Sequence, residues 1–191
     1  MFILYKRLIL MAIIMNVIGI CGKIGSGKST VAKQLVDKHG YTEFSFSTAL
    51  KRGICQIYSI DECFVFGSQE DKTTNIPYWN TTGRKLCEII GTFFRTIDPD
   101  FWIKRLYLDI SRCNTQKILI SDIRYENELE FVTKTLNGKN IYVNNNTINK
   151  FSSDHESEKN YTKLSKFCDT IYNNSSIKDL HDEIDGWLKS H

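Results

Sequence analysis

The sequence predicts an α/β fold, a parallel sheet whose strands are joined by crossover helices. Two observations predict it. Short apolar runs rich in β-branched residues alternate with helical patterns over most of the 191 residues, as in a sheet with helices packed on its faces. One run, Asn16-Val-Ile-Gly-Ile20, leads straight into a glycine-rich loop and then a helical pattern, a context in which backbone N–H groups gather around an anion. Composition agrees. At about 150 residues per domain the chain amounts to one domain, so residues 1–191 are expected to form a single unit. Hydrophobic residues make 41% and charged residues 25%, which excludes disordered and collagen-like chains.

The first strand is read at 16–21. Residues 8–20 are almost wholly apolar and follow Lys6 and Arg7, as a signal peptide would, but a bilayer takes about 20 apolar residues to cross. The end of the run is committed to the loop, so 1–14 reads as an N-terminal extension, with a cleaved signal as the alternative. A helix follows at 28–38, then a strand at 41–46 and a helix at 48–59. Residues 60–81 read as irregular. Pro77 and Pro99 each fall before a predicted helix, at 82–94 and 99–112. A strand at 117–121 precedes a helix at 126–136, where Leu129, Val132 and Leu136 share a face. Strands at 140–144 and 169–173 flank a polar stretch, 144–166, which reads as a short lid. The last helix, 176–189, opens on Ser176-x-x-Asp179, a capping signal that Ser153-x-x-Glu156 repeats inside the lid.

Gly22-Lys-Ile-Gly25-Ser26-Gly27-Lys28-Ser29-Thr30 fits G-x-x-x-x-G-K-[ST] at every fixed position, between a strand and a helix as a phosphate-binding P-loop requires. Gly22, Gly25 and Gly27 let the backbone fold around an anion, and the helix start adds N–H donors and a positive dipole end. Lys28 is expected at the β- and γ-phosphates, the Ser29 hydroxyl on Mg²⁺, and Thr30 near the α-phosphate. Ile118-Leu-Ile-Ser-Asp122 ends a strand on an acid. Asp122 can hold the Mg²⁺ water shell or cap the following helix, and Arg124 points to the same rim. Arg84 and Arg95 lie on or beside the helix at 82–94, and arginine suits a bidentate phosphate grip. Lys51, Arg52, Lys104 and Arg105 are ordinary surface charges unless the site uses them. Trp102 reads as core or as a base-stacking residue, His155 as a lid contact or a surface histidine. Asn173-Asn174 reads as a turn or as part of an adenine pocket.

The net charge of +3 is too small for a nucleic-acid coat protein but suits anionic small molecules. Cys21, Cys55, Cys63, Cys87, Cys113 and Cys168 show no C-x-x-C pair and read as reduced thiols of a cytoplasmic protein, without a cysteine metal site.

In this order, the P-loop, Ser47-Thr-Ala-Leu-Lys51, Gly83-Arg84, Ile90-Gly-Thr92, Asp100-Phe-Trp102, Ser121-Asp-Ile-Arg124 with Asn127-Glu128, His155-Glu-Ser-Glu158 and Tyr172-Asn-Asn-Ser-Ser176 resemble the deoxynucleoside monophosphate kinases of phages and large DNA viruses. Dephospho-coenzyme A kinase is a more distant relative. The resemblance covers about residues 16–189. It implies a P-loop NTPase fold with a five-stranded parallel sheet, ATP as co-substrate with Mg²⁺, and transfer of the γ-phosphoryl group to a deoxynucleoside 5′-monophosphate. Under it, Lys28, Asp122 and Arg124 carry catalysis. Gly25, Ser26, Gly27, Lys28, Ser29, Thr30 and Asn174 bind ATP. Lys51, Arg84, Arg95, Trp102, Arg124 and Glu128 bind the acceptor, and Ser29 and Asp122 serve the metal. Two departures stand out. The lid has Lys150, Lys159 and Lys163 but no arginine, and Ser29 stands where some members carry Asp. No nucleic-acid or membrane partner is expected, and a homodimer is compatible with the pattern. A small-metabolite kinase of the dephospho-coenzyme A type and a non-catalytic nucleotide switch are the alternatives. The guanine-reading N-K-x-D motif of the commonest switches is absent.

Overall fold

A computed structural model describes residues 15–146 and 160–191. The extension 1–14 and most of the expected lid, with Lys150, His155, Lys159 and the Ser153 capping signal, lie outside the described residues. The element order is β1 (Asn16–Cys21), α1 (Lys28–His39), β2 (Thr42–Phe44), α2 (Thr48–Tyr58), α3 (Cys63–Phe66), α4 (Gln69–Thr73), β3 (Asn75–Ile76), β4 (Thr81–Thr82), α5 (Gly83–Ile97) and α6 (Phe101–Arg112). Then come β5 (Lys117–Ile123), α7 (Glu126–Glu130), a π turn at Phe131–Thr135, β6 (Lys139–Asn144), α8 (Tyr161–Leu164), a 3-10 turn at Ser165–Phe167, β7 (Asp169–Tyr172) and α9 (Ile177–Ser190). Two compact units result, one from residues 46–112 and the other from the described residues on either side of that segment.

The flanking residues build a five-stranded sheet in the order β2-β5-β1-β6-β7, parallel throughout. Its central strands are covered on both faces, so they read as near-continuous apolar runs. Val17, Ile18 and Ile20 of β1, Ile118, Leu119 and Ile120 of β5, and Ile141 and Val143 of β6 are all fully buried. Part of this core is shared with Val31 and Leu35 of α1 and with Leu180 and Ile184 of α9. The Ser176–Asp179 capping box is present at the start of α9. Gln34 Nε2 donates to Asp185 Oδ1 at 2.9 Å, His39 Nε2 lies 2.8 Å from the same oxygen, and Lys38 pairs with Oδ2, so one carboxylate ties α9 to α1.

The Lys38 ammonium and then His39 hold the Asp185 carboxyl down at about 2, from 3.8. A carboxyl depressed by folding contributes stability above its unfolded value, and that contribution is lost as pH falls through the folded value. Asp185→Asn is therefore expected to melt below the parent at neutral pH. The gap should shrink from about pH 4 downward and close only below pH 2, as followed by thermal unfolding across that range.

The 46–112 unit is helical. The stretch expected to be irregular folds into α3, α4 and the antiparallel β3–β4 hairpin. α4 is closed by a reciprocal Ser68–Asp71 cap, and α5 starts on Thr82, whose hydroxyl accepts from Lys85 N–H at 3.2 Å. The first residue of α5 is pressed onto α3: a Cβ on Gly83 would lie 1.8 Å from the Phe64 carbonyl oxygen. That contact is backbone and cannot swing aside. Gly83→Ala is expected to cost about 1–3 kcal/mol by overpacking, seen as a lower denaturant midpoint. Along the α5–α6 contact Trp102 is 5% exposed, and its indole N–H donates to the Gly91 carbonyl at 3.0 Å. Phe94 stacks on Phe101 at 4.4 Å between centroids.

Candidate active site

The exit of β1 builds the loop. Gly22, Gly25 and Gly27 take φ of 148°, 80° and 103°, left-handed or nearby values that side-chain-bearing residues resist. Gly25 and Gly27, on either side of Ser26, give the alternation of positive and ordinary φ from which anion-binding nests are built. α1 then starts with no side-chain cap and no acid in its first turn, which leaves its N–H donors and dipole end for a ligand. Lys28 Nζ donates to the loop carbonyls of Gly22 and Lys23 at 2.5 and 2.7 Å and lies 5.8 Å from the centre of the Tyr161 ring. Ser26 is 3% exposed, and its hydroxyl is buried with no hydrogen-bond partner among the described residues. Ser29 is exposed. Thr30 N–H donates to the Gly27 carbonyl at 3.0 Å, within the first turn.

Residues far along the chain hold the loop in shape. Asn173, just past β7, donates through Nδ2 to the Ser26 carbonyl at 2.9 Å, and its own N–H donates to the Asn144 carbonyl at 2.7 Å. Asn174 Oδ1 accepts from Asn146 N–H at 2.9 Å. Asn173, read from the sequence as a turn or part of an adenine pocket, holds the loop through Ser26, and Tyr161, to which neither composition nor motif pointed, lies beside Lys28. Only the strand order brings the end of β7 beside a loop about 147 residues earlier.

Asp122 sits on an irregularity. β1 and β5 pair Gly19 with Ile120 and Cys21 with Ile123, so β5 carries one residue more than β1 over this interval. Such bulges bend a strand and re-aim side chains next to functional sites. Ser45, just past β2, donates its hydroxyl to Asp122 Oδ2 at 2.7 Å, orienting the carboxylate. The backbone N–H groups of Arg124 and Tyr125 donate to Glu128 Oε2 at 2.8 and 3.2 Å. Glu128 is 2% exposed. Its carboxylate is thus turned onto the backbone that carries Arg124, as a helix cap is.

The 46–112 unit carries the other basic candidates. Arg84, at the start of α5, donates from Nη2 to Gln69 Oε1, while its Nε is buried with no partner among the described residues. Lys51 Nζ lies 5.2 Å from the centre of the Phe66 ring. Arg95 Nη1 donates to the Gly91 carbonyl at 3.3 Å. Trp102 packs in the interior of the unit with its N–H engaged, the core alternative of its sequence reading.

One pair of thiols lies at the base of the loop. Cys21 and Cys168 are 3.5 Å apart at sulfur, and the hydrogen bond between them, with burial, raises the Cys21 thiol above its usual value, which makes it a poor nucleophile. Among the described residues no helix is long and apolar enough to cross a membrane. Nor does any group of three His, Cys, Asp or Glu there suit a metal ion.

A family model for deoxynucleotide monophosphate kinase matches residues 68–184. The chain belongs to this family. The matched span includes Arg84, Arg95, Trp102, Asp122, Arg124, Glu128 and Asn174, while the loop at 22–30 precedes it. A protein of Acanthamoeba polyphaga mimivirus described as a "Putative deoxynucleotide monophosphate kinase" is 30% identical over 186 residues, covering 89% of this chain and 94% of the relative. Among solved structures, TT1252 from Thermus thermophilus superposes with a TM-score of 0.54 at 18% identity, covering 92% of this chain and 97% of that one. A dephospho-CoA kinase from Campylobacter jejuni reaches a TM-score of 0.48 at 17% identity, covering 92% and 96%. The similarity to TT1252 is one of fold. Family membership makes the protein a kinase-family phosphotransferase, with a nucleotide-binding P-loop on a five-stranded parallel sheet.

Proposed function

We propose that this protein transfers the γ-phosphoryl group of ATP to a deoxynucleoside 5′-monophosphate, giving ADP and the deoxynucleoside diphosphate. The observation that carries this reading is the nest at 22–30, backed by an uncapped helix and holding Lys28, in a chain of this family. An oxygen of the acceptor phosphate attacks the γ-phosphorus, and the bond from that phosphorus to the ADP oxygen breaks. Little covalent work is left for side chains, so catalysis is positioning and charge neutralisation.

Each residue has a physical role in this reading. The loop N–H groups receive the β-phosphate. Lys28 exchanges the carbonyls of Gly22 and Lys23 for phosphate oxygens, where the developing negative charge rewards a fixed cation. The buried, unpartnered Ser26 hydroxyl is a further donor in the same loop. Gly25, Gly27 and Thr30 shape the first turn, and Asn174 holds the backbone of Asn146 past β6. The donor set fits Mg²⁺, a hard cation that takes a few protein oxygens plus phosphate oxygens and water. The Ser29 hydroxyl and the Asp122 carboxylate, aimed by Ser45, would hold it. When bound, the ion would supply charge neutralisation to the phosphates. Arg84 and Lys51 grip the acceptor phosphate, with Arg95 as an additional cation, and the buried Arg84 Nε without a partner is the kind of donor an anionic oxygen satisfies. Arg124 steadies the transferring group. Glu128 acts as a positioning residue through the backbone of Arg124, and Trp102 through the packing of α5 against α6.

The test is a phosphotransfer screen in which ADP release from ATP is followed with dTMP, dGMP, dCMP, dAMP, their ribose counterparts and dephospho-coenzyme A. Release that depends on a deoxynucleotide supports the proposal. Turnover confined to dephospho-coenzyme A selects the small-metabolite alternative, and binding of ATP without any acceptor-dependent release selects a switch.

A further inference from the structure

Residues 66–69, where α3 passes into α4, supply a partner to each of two cations. Lys51 Nζ lies 5.2 Å from the centre of the Phe66 ring, within reach of the negative face of its π system. Gln69, the first residue of α4, accepts through Oε1 from Arg84 Nη2. Both partners are uncharged. Elsewhere among the described residues, Lys33, Lys104, Arg105 and Lys134 pair with the carboxylates of Asp37, Asp98, Asp109 and Glu130. Acids are at hand at the junction too, since Glu70 and Asp71 follow Gln69. Asp71 turns back to cap its own helix, its Oδ2 accepting from the Ser68 N–H and hydroxyl at 2.7 Å each. The junction is also fixed in place. A Cβ on Gly67 would lie 2.5 Å from the Cys63 carbonyl oxygen and 2.6 Å from Asp71 Oδ2. The Phe64 carbonyl presses on Gly83, the residue before Arg84, and Leu50, the residue before Lys51, packs against Gly91 of α5.

We propose that Phe66 and Gln69 are positioning residues of the acceptor site, orienting Lys51 and Arg84 without neutralising them, so that both positive charges stay available to a phosphate monoester dianion. The proposal rests on the reading of Lys51 and Arg84 as the cations that grip the acceptor. A carboxylate in place of the Gln69 amide would fix the guanidinium at least as firmly. It would also cancel the charge of Arg84 and repel the incoming dianion. With Nη2 held by the amide, the buried Arg84 Nε, which has no partner among the described residues, is a donor kept for the ligand.

Gln69→Glu separates positioning from plain support. An acid in the first turn of α4, facing an arginine, is neutral or stabilising for the fold, so thermal unfolding should show no loss. The acceptor KM should nevertheless rise about tenfold, with kcat and ATP affinity nearly unchanged. Gln69→Ala, which loses the orientation but keeps the charge, should raise it about threefold. Phe66→Leu, which keeps apolar volume without the π face, should act by about the same factor. Kinetics of the full chain at saturating ATP, with whichever of dTMP, dGMP, dCMP and dAMP supports turnover, give KM and kcat. Calorimetry with the same four nucleotides gives binding without turnover. Gln69→Glu that takes the acceptor as well as Gln69→Ala does overturns the proposal, and so does Phe66→Leu with unchanged acceptor binding. A parent that binds a nucleotide without acceptor-dependent ADP release defeats phosphoryl transfer, while the same ratios of affinity still decide the positioning. A parent that neither binds nor phosphorylates any of the four overturns both.

Discussion

Lys28→Met should lower phosphoryl transfer by about a hundredfold or more while the protein stays folded. Methionine keeps most of the length and apolar body of the lysine, so packing near Tyr161 is largely preserved. What goes is the ammonium that reaches the Gly22 and Lys23 carbonyls across the loop. A preorganised positive group aimed at developing charge contributes about 2.7–4 kcal/mol when its loss is measured in comparable sites. The loop glycines and the uncapped start of α1 remain, so ATP binding should weaken far less than turnover does. Single-turnover ADP formation, with thermal unfolding as the control for folding, makes the measurement. Near-normal turnover in a folded variant would remove Lys28 from the mechanism.

Arg84→Met should separate acceptor from donor. Arg84 is held at Nη2 by Gln69, which fixes the guanidinium plane while Nε has no partner among the described residues. Hydrogen bonds to charged groups contribute roughly 1.5–3 kcal/mol, so kcat/KM for the deoxynucleotide should fall by about ten- to a hundredfold. ATP affinity without acceptor should stay nearly constant, because Lys28 and the loop belong to the other unit. Calorimetry of ATP binding beside acceptor kinetics on the same variant decides the matter. Collapse of ATP binding with an unmoved acceptor KM would put Arg84 on the donor side.

The strands of the sheet are legible in the sequence because β1, β5 and β6 are buried on both faces and must be apolar throughout. β2 is shorter than its apolar run suggests, since it lies at the sheet edge with Glu43 exposed. Residues 60–81 contain only Val65 and Ile76 as buried positions, too few to write a period, so the one-turn helices and the hairpin leave no pattern. The bulge before Ile123 is equally silent, because an extra residue in one strand changes no residue type. Glu128 is instructive in another way. Its cap closes on the N–H groups of Arg124 and Tyr125, and neither residue type signals a helix start, so an acid within a resemblance motif reads as a ligand contact. Helical spacing leaves Trp102 open between core and base stacking, and the tertiary partner at Gly91 decides its packing.

The clasp of Asn173 on the Ser26 carbonyl bears on how the protein is made. The glycine loop leaves the ribosome about 147 residues before Asn173, which supplies one of the contacts that shape it. A nascent polypeptide that stops short of β7 carries the complete phosphate-binding motif without that support. On the proposed function, ATP would stabilise molecules that include β7 more than those that lack it. Nucleotide would then act as a proofreader of synthesis, leaving copies terminated before β7 without ligand protection against proteases.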